Sequence, residues 1–334
     1  MSRRFCIVAL TVLMIACASG VVFSQMSGSP GKEFNEAFYA ELKSSEEELV
    51  QFGLSLQPLF TDMQQNAQAK AMAAVMERAK DTSSPMTQEE GLKLGLGAVM
   101  EGMVGMQKPI NDKATEFFSE EGRQKLHLRL FQLKEGLLDR LGTTDSMEAT
   151  QAAFSFDIMQ LMGGQPDFLE LHPEQQELIT KQQKETTLEA MTLVQGATIK
   201  MITAHPEKLA EIQQLAKEFG EAQTDEEREK IAKQVQDFQV VMMKDIAPEL
   251  KAIFLKGRED FYRVLTDAQK AKIKAVMADM PDYMKKLLAE VDKEGGALSG
   301  LNSWVPGTGA PGVNPNREAP RQRTNTGGRT FPGN

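Results

Sequence analysis

FSEEGRQKLHLRLFQLKEGLLDRL, residues 118–141, decides how this chain folds. Leu126, Leu130, Leu133, Leu137 and Leu141 recur at steps of four, three, four and four. That spacing lays one apolar stripe along one face of an α-helix, with charged residues on the other faces. The stretch also opens with an apolar residue, a hydroxyl and two acids, which is how an amphipathic helix starts.

The same pattern extends in both directions. Leu209, Ile212, Leu215 and Phe219 form a second stripe, and Ile231, Val235, Phe238 and Met242 a third. Thr87-x-x-Glu90, Thr224-x-x-Glu227 and Thr266-x-x-Gln269 are capping boxes, in which each side chain satisfies a backbone N–H at a helix start. Pro58, Pro173, Pro206 and Pro248 suit first-turn positions, where a missing N–H costs nothing. Gly142, Gly163-Gly164 and Gly220 mark helix ends. No window alternates with the period of a strand. These signals predict helices near 34–52, 58–80, 87–106, 119–141, 145–162, 173–203, 206–219, 225–245, 248–264, 266–280 and 281–294. The fold class is all-α: a multi-helix bundle, or stacked helical hairpins, over 34–294, with room for two sub-bundles meeting near 142–170.

The two ends read differently. Residues 1–24 have Arg3 and Arg4, an apolar run and then small residues, the layout of a secretory signal peptide. Three fates stay open. The leader is cut after Ser24, or Cys17 is lipidated within Met14-Ile15-Ala16-Cys17, or Phe5–Phe23 is kept as an anchor. Membrane contact is expected only in the last two cases. Residues 25–33 form a flexible lead-in. Residues 295–334 hold 14 Gly and Pro, which predicts a disordered tail. Its Trp304, Phe331 and four Arg suit contact with anionic lipid or a wall polymer. The expected address is the periplasm or cell envelope, or secretion.

Both cysteines, Cys6 and Cys17, lie in the leader, so a cleaved chain has no thiol nucleophile or thiolate ligand. The net charge is −9, and subtracting the basic ends leaves −14 for residues 25–294. An acidic body argues against nucleic acid as a partner, because phosphate binding needs a basic face. His127, His172 and His205 are scattered, with no pair on one helix face. No phosphate loop, nucleophile elbow or dinucleotide fingerprint is present. A non-enzyme without a cofactor is the expectation, with other polypeptides or a second copy of the chain as partner.

Methionine is abundant, at 20 residues. Met100, Met103 and Met106 fall three apart in a segment that also holds Gly97, Gly102 and Gly105. Three uses fit them: a thioether site for Cu(I), an adaptable apolar binding surface, or close packing against a neighbouring helix.

Three helix starts share one form. They begin Phe118-Ser119-Glu120-Glu121-Gly122, Leu171-His172-Pro173-Glu174-Gln175 and Leu265-Thr266-Asp267-Ala268-Gln269. The form resembles the Leu-Thr-x-x-Gln motif of small helical periplasmic proteins of the Spy/CpxP type, and of larger uncharacterised bacterial envelope proteins that repeat it. Only Leu265–Gln269 matches in full. His172 replaces Thr in one copy, and Phe118, Ser119 and Gly122 replace Leu, Thr and Gln in another. The resemblance implies a helical-hairpin scaffold, an association with envelope or metal stress, and ATP-independent binding of unfolded proteins. A structural, self-associating envelope protein that touches wall or membrane through its tail is the alternative.

Overall fold

The computed structural model describes residues 32–80, 87–144, 146–205 and 244–290, with isolated positions between 207 and 234. The leader with Cys17, the tail from 295 and most of the helices expected at 206–219 and 225–245 lie outside the described residues. The described chain is all-α. Its helices are α1 (Lys32–Leu42), α2 (Glu46–Lys80), α3 (Gln88–Gly105), α4 (Gln107–Phe117), α5 (Glu120–Thr143), α6 (Met147–Gly163), α7 (Pro173–Ala204), α8 (Ala247–Val264), α9 (Asp267–Ala278) and α10 (Asp282–Glu290), with one 3-10 turn at Asp167–Leu169. No described helix is long and apolar enough to cross a membrane.

The opening stripe does what its spacing predicts. Leu133, Leu137 and Leu141 of α5 are fully buried, and they join Phe38, Leu56, Phe156, Leu250 and Met284 in the main core. That core draws on α1 and α2 before the 142–170 region and on α7, α8 and α10 after it. All three capping boxes form. Thr87 and Glu90 satisfy each other's backbone N–H at 3.1 and 2.8 Å. Thr224 and Glu227 do so at 3.2 Å each.

Three boundaries differ from the sequence reading. Pro58 does not begin a helix but lies inside α2, which runs unbroken from Glu46. The break falls earlier, at Lys43, whose φ of 53° ends α1 in the left-handed region. There Ser45 and Glu48 make a further capping box, with Ser45 N donating to Glu48 Oε2 at 2.8 Å and Glu48 N to Ser45 Oγ at 3.2 Å. A proline inside a helix costs about 3 kcal/mol, and buried Phe52 and Leu56 in the preceding turns anchor the segment against it. The stretch 107–117, which lies outside the expected helices, forms α4, and Met106 keeps near-helical angles at its junction with α3. Gly142 falls inside α5 rather than after it, while Gly164, at φ 86°, does end α6.

α2 and α3 pack antiparallel as the outer hairpin. Gly102 of α3 lies so close to α2 that an added Cβ would meet the Met63 sulfur at 3.0 Å, and Arg78 reaches Glu90 at 3.7 Å near the hairpin's turn. α3 then backs onto α7, α6 and α4, which leaves the far face of α2 to solvent.

Candidate functional site

The motif copies at 171 and 265 meet. Gln269 is buried, and its Oε1 accepts the Thr266 N–H at 2.9 Å, as a capping box requires. Gln175 Oε1 accepts the His172 N–H at 3.1 Å in the same way. Each amide then reaches across to the other copy. Gln175 Nε2 donates to Gln269 Oε1 at 3.1 Å and to Val264 O at 2.9 Å. Gln269 Nε2 donates to Gln175 Oε1 at 3.1 Å and to Leu169 O at 3.1 Å. The two glutamines thus form a reciprocal amide pair that also satisfies the backbone ahead of each motif. Leu265 is buried with Leu169, Ile179 and Ile273, and Leu171 packs against the same cluster.

The third copy stays apart. Phe118 packs edge-on against Phe52 at 5.1 Å in the main core, and Ser119 Oγ accepts the Gly122 N–H at 3.1 Å. Glycine stands where the other copies have glutamine because α1 ends there: a Cβ on Gly122 would lie 2.8 Å from the Leu42 carbonyl oxygen.

A polar seam runs beside the glutamine joint. Glu135 is 3% exposed and accepts from Arg258 Nε at 2.9 Å and from the Tyr262 hydroxyl at 3.0 Å. Arg258 also donates to Asp139 at 2.6 Å. Burial works against the charged Arg258, but the charges of Glu135 and Asp139 outweigh it and raise its pKa. Burial and the Glu135 charge likewise raise that of Tyr262. Asp157, 3% exposed, accepts from Lys134 at 2.7 Å and from Thr187 at 2.5 Å. Gln160, Gln165 and Gln183 continue the chain of amides at 2.8 and 2.9 Å. The cavity between these groups holds about 40 Å³. That is room for about one water, far below the few hundred Å³ of a small-molecule site. The carboxylates here are matched by cations and donors in place, so the seam holds α5, α6, α7 and α8 together.

The histidines do not converge. His172 is exposed at the start of α7, and His205 is exposed with its Nδ1 3.2 Å from Glu207. His127 lines a second cavity of about 30 Å³, and burial lowers its pKa. Among the described residues no three His, Cys, Asp or Glu side chains gather at metal-binding spacing.

The methionine row is corrected in one respect. Met100, Met103 and Met106 are 0, 1 and 4% exposed, so they offer no surface. Met100 and Met103 fill a cluster with Leu96, Leu161, Met162 and Met191. Of the three glycines beside them only Gly102 serves close packing; a Cβ on Gly97 or Gly105 would meet nothing within 4 Å.

The exposed methionines are elsewhere. Met72 and Met76 of α2 are 43 and 48% exposed, and Ala69 and Ala73 beside them also face solvent. Exposed Leu178 on α7 is flanked by Glu174, Glu177 and Lys181, and a single exposed leucine is ordinary. The α2 face is an apolar patch on an outer helix, presented by small and flexible side chains. Such a face can take a second helix or an apolar stretch of chain. The sequence reading passed over it because the segment 61–80 shows a weak stripe; alanine and methionine at three- and four-residue steps were the available signal. No family model, curated protein or solved structure matches this chain.

Proposed function

We propose that this is an exported, non-enzymatic helical module that holds other polypeptides on the alanine–methionine face of α2, acting as an envelope chaperone-like protein. The observation that carries the reading is the exposure of Met72 and Met76, at 43 and 48%, on a helix whose other face is anchored on α3. Methionine is flexible and polarizable, and surfaces rich in it accept many partners. The buried seam and the glutamine joint keep the scaffold rigid behind that face. The leader supports export, and the paired Leu-Thr-x-x-Gln-like starts support kinship with the periplasmic binders that this motif resembles.

The test is suppression of aggregation of a chemically denatured client at near-stoichiometric amounts. Wild type is expected to slow aggregation of several clients. Met72→Lys with Met76→Lys should abolish most of that effect with the helical signal and melting temperature unchanged, because both side chains already face water. Equal suppression by wild type and variant removes this face as the binding surface, and no suppression by wild type overturns the reading.

A further inference from the structure

Two side chains in the first turns of α5 carry buried nitrogens that nothing satisfies. Arg78, Arg129, Arg258 and Arg263 each reach a carboxylate. Arg123 reaches none among the described residues, and its Nε is buried without a hydrogen-bond partner. His127 Nδ1 is buried and unpartnered in the same way. The two residues are four apart, so they share one face of α5, with Cβ atoms about 5–6 Å apart. Buried polar atoms are nearly always hydrogen-bonded, so two such nitrogens side by side call for an acceptor from outside. The acids of the same turn are occupied: Glu120 accepts from Gln124, and Glu121 pairs with Lys43 and Lys125. The cavity of about 30 Å³ that His127 lines is otherwise mostly apolar, with Leu130, Phe131, Phe156 and Met159 around it. It has room for about one water-sized or methyl-sized group. Lys134 lines it too, but is engaged by Asp157 and Gln160.

We infer that Arg123 and His127 together bind a small monocarboxylate. The guanidinium presents Nε–H and an Nη–H side by side, the fork that matches a carboxylate, and His127 Nδ1–H adds a third donor. The methyl or short alkyl end of the ligand enters the apolar cavity. Asp167, exposed at the start of the 3-10 turn, puts a like charge close to His127, which favours a single negative charge over a dianion such as phosphate. Burial holds the His127 pKa below its ordinary value, while the charge of Asp167 raises it and that of Arg123 lowers it. A bound carboxylate favours the imidazolium and so raises that pKa. By linkage, affinity rises as pH falls from neutrality toward it. The site is on a different helix from the α2 face proposed for clients, so the two readings stand or fall separately.

Titration of the full chain with sodium acetate at constant ionic strength, followed by NMR at the histidine Cε1–H signals, tests the site. The chain has three histidines, so each signal is assigned by a single substitution. The expected result is a saturable shift of the His127 signal, a raised His127 pKa at saturation, and no saturable shift at His172 or His205. Acetate should bind more tightly at about pH 5.5 than at about pH 7.5. Neutral acetamide should not bind, and phosphate should bind less tightly than acetate. Arg123→Gln should weaken acetate at least about tenfold, with the circular dichroism and melting temperature unchanged, because no carboxylate is stranded by its loss. Asp167→Asn should strengthen acetate binding by removing a like charge. No saturable response at His127 overturns the inference, as does an equal response to acetamide or unchanged binding in Arg123→Gln. Tighter binding of phosphate than of acetate overturns the monocarboxylate assignment. Weaker acetate binding or a large loss of stability in Asp167→Asn would make Asp167 the resident partner of the two cations, and also overturns it.

Discussion

Arg258→Met is expected to destabilise the fold by about 3–5 kcal/mol, because it strands a buried carboxylate. Glu135 sits inside the bundle at 3% exposure, held by Arg258 at 2.9 Å and Tyr262 at 3.0 Å. Removing the guanidinium leaves Glu135 with one neutral donor, the Tyr262 hydroxyl. Total stabilities run to about 5–15 kcal/mol, so the single variant should lose a large part of its unfolding midpoint in urea. Circular dichroism is the probe, since the one tryptophan, Trp304, lies in the tail. Glu135→Leu combined with Arg258→Met should recover most of the loss, because a buried ion pair can be exchanged for apolar side chains at little net cost. A single variant within about 1 kcal/mol of wild type would mean that Glu135 is not buried as described.

Gln269→Glu separates a helix cap from an inter-helix joint. A capping box accepts glutamate as readily as glutamine, so a residue that only caps α9 should tolerate the change. In the structure Gln269 also donates to Leu169 O and to Gln175 Oε1, each at 3.1 Å. A carboxylate cannot donate, and it would set its charge against two oxygens. The expected loss is about 2–4 kcal/mol, in line with leaving buried polar groups unpaired. Thr266→Ala, which removes only the cap, should cost about 1 kcal/mol. Gln175→Ala combined with Gln269→Ala should cost clearly less than the sum of the two single changes, as expected for groups that pair with each other. Additive losses, or a neutral Gln269→Glu, would show that the copies do not depend on each other.

Much of the scaffold was legible in the residues. The leucine stripe of α5, the capping boxes at Thr87, Thr224 and Thr266, and the glycine end of α6 are local signals, and each is set by backbone hydrogen bonding and a 3.6-residue period. The misread elements were those in which tertiary packing outweighs a local preference. Pro58 sits within α2 because the flanking apolar residues bind the main core, and α4 forms with Pro109 in its first turn, where a missing N–H costs nothing. The pairing of Gln175 with Gln269 spans 94 residues, and no local pattern announces it.

The exposed face of α2 was less legible than the scaffold. A helix that is buried on one side by alanine, valine and methionine, and exposed on the other by alanine and methionine, gives almost no amphipathic contrast. The methionines that drew notice by their spacing, Met100, Met103 and Met106, fill the interior instead. Spacing marks a face, but not whether that face meets solvent or a neighbour, and here α7 and α6 decide it by packing against α3.

Methionine footprinting reads directly whether a client lies on the outer face of α2. The chain is treated with dilute peroxide, with and without an unfolded client, and oxidation is read residue by residue. Met72 and Met76 are expected to oxidise readily in the free chain and to be protected when client is bound, while Met100 and Met103 stay unreactive in both. Bound client with Met72 and Met76 still oxidised at the free rate would mean that clients bind elsewhere on the chain.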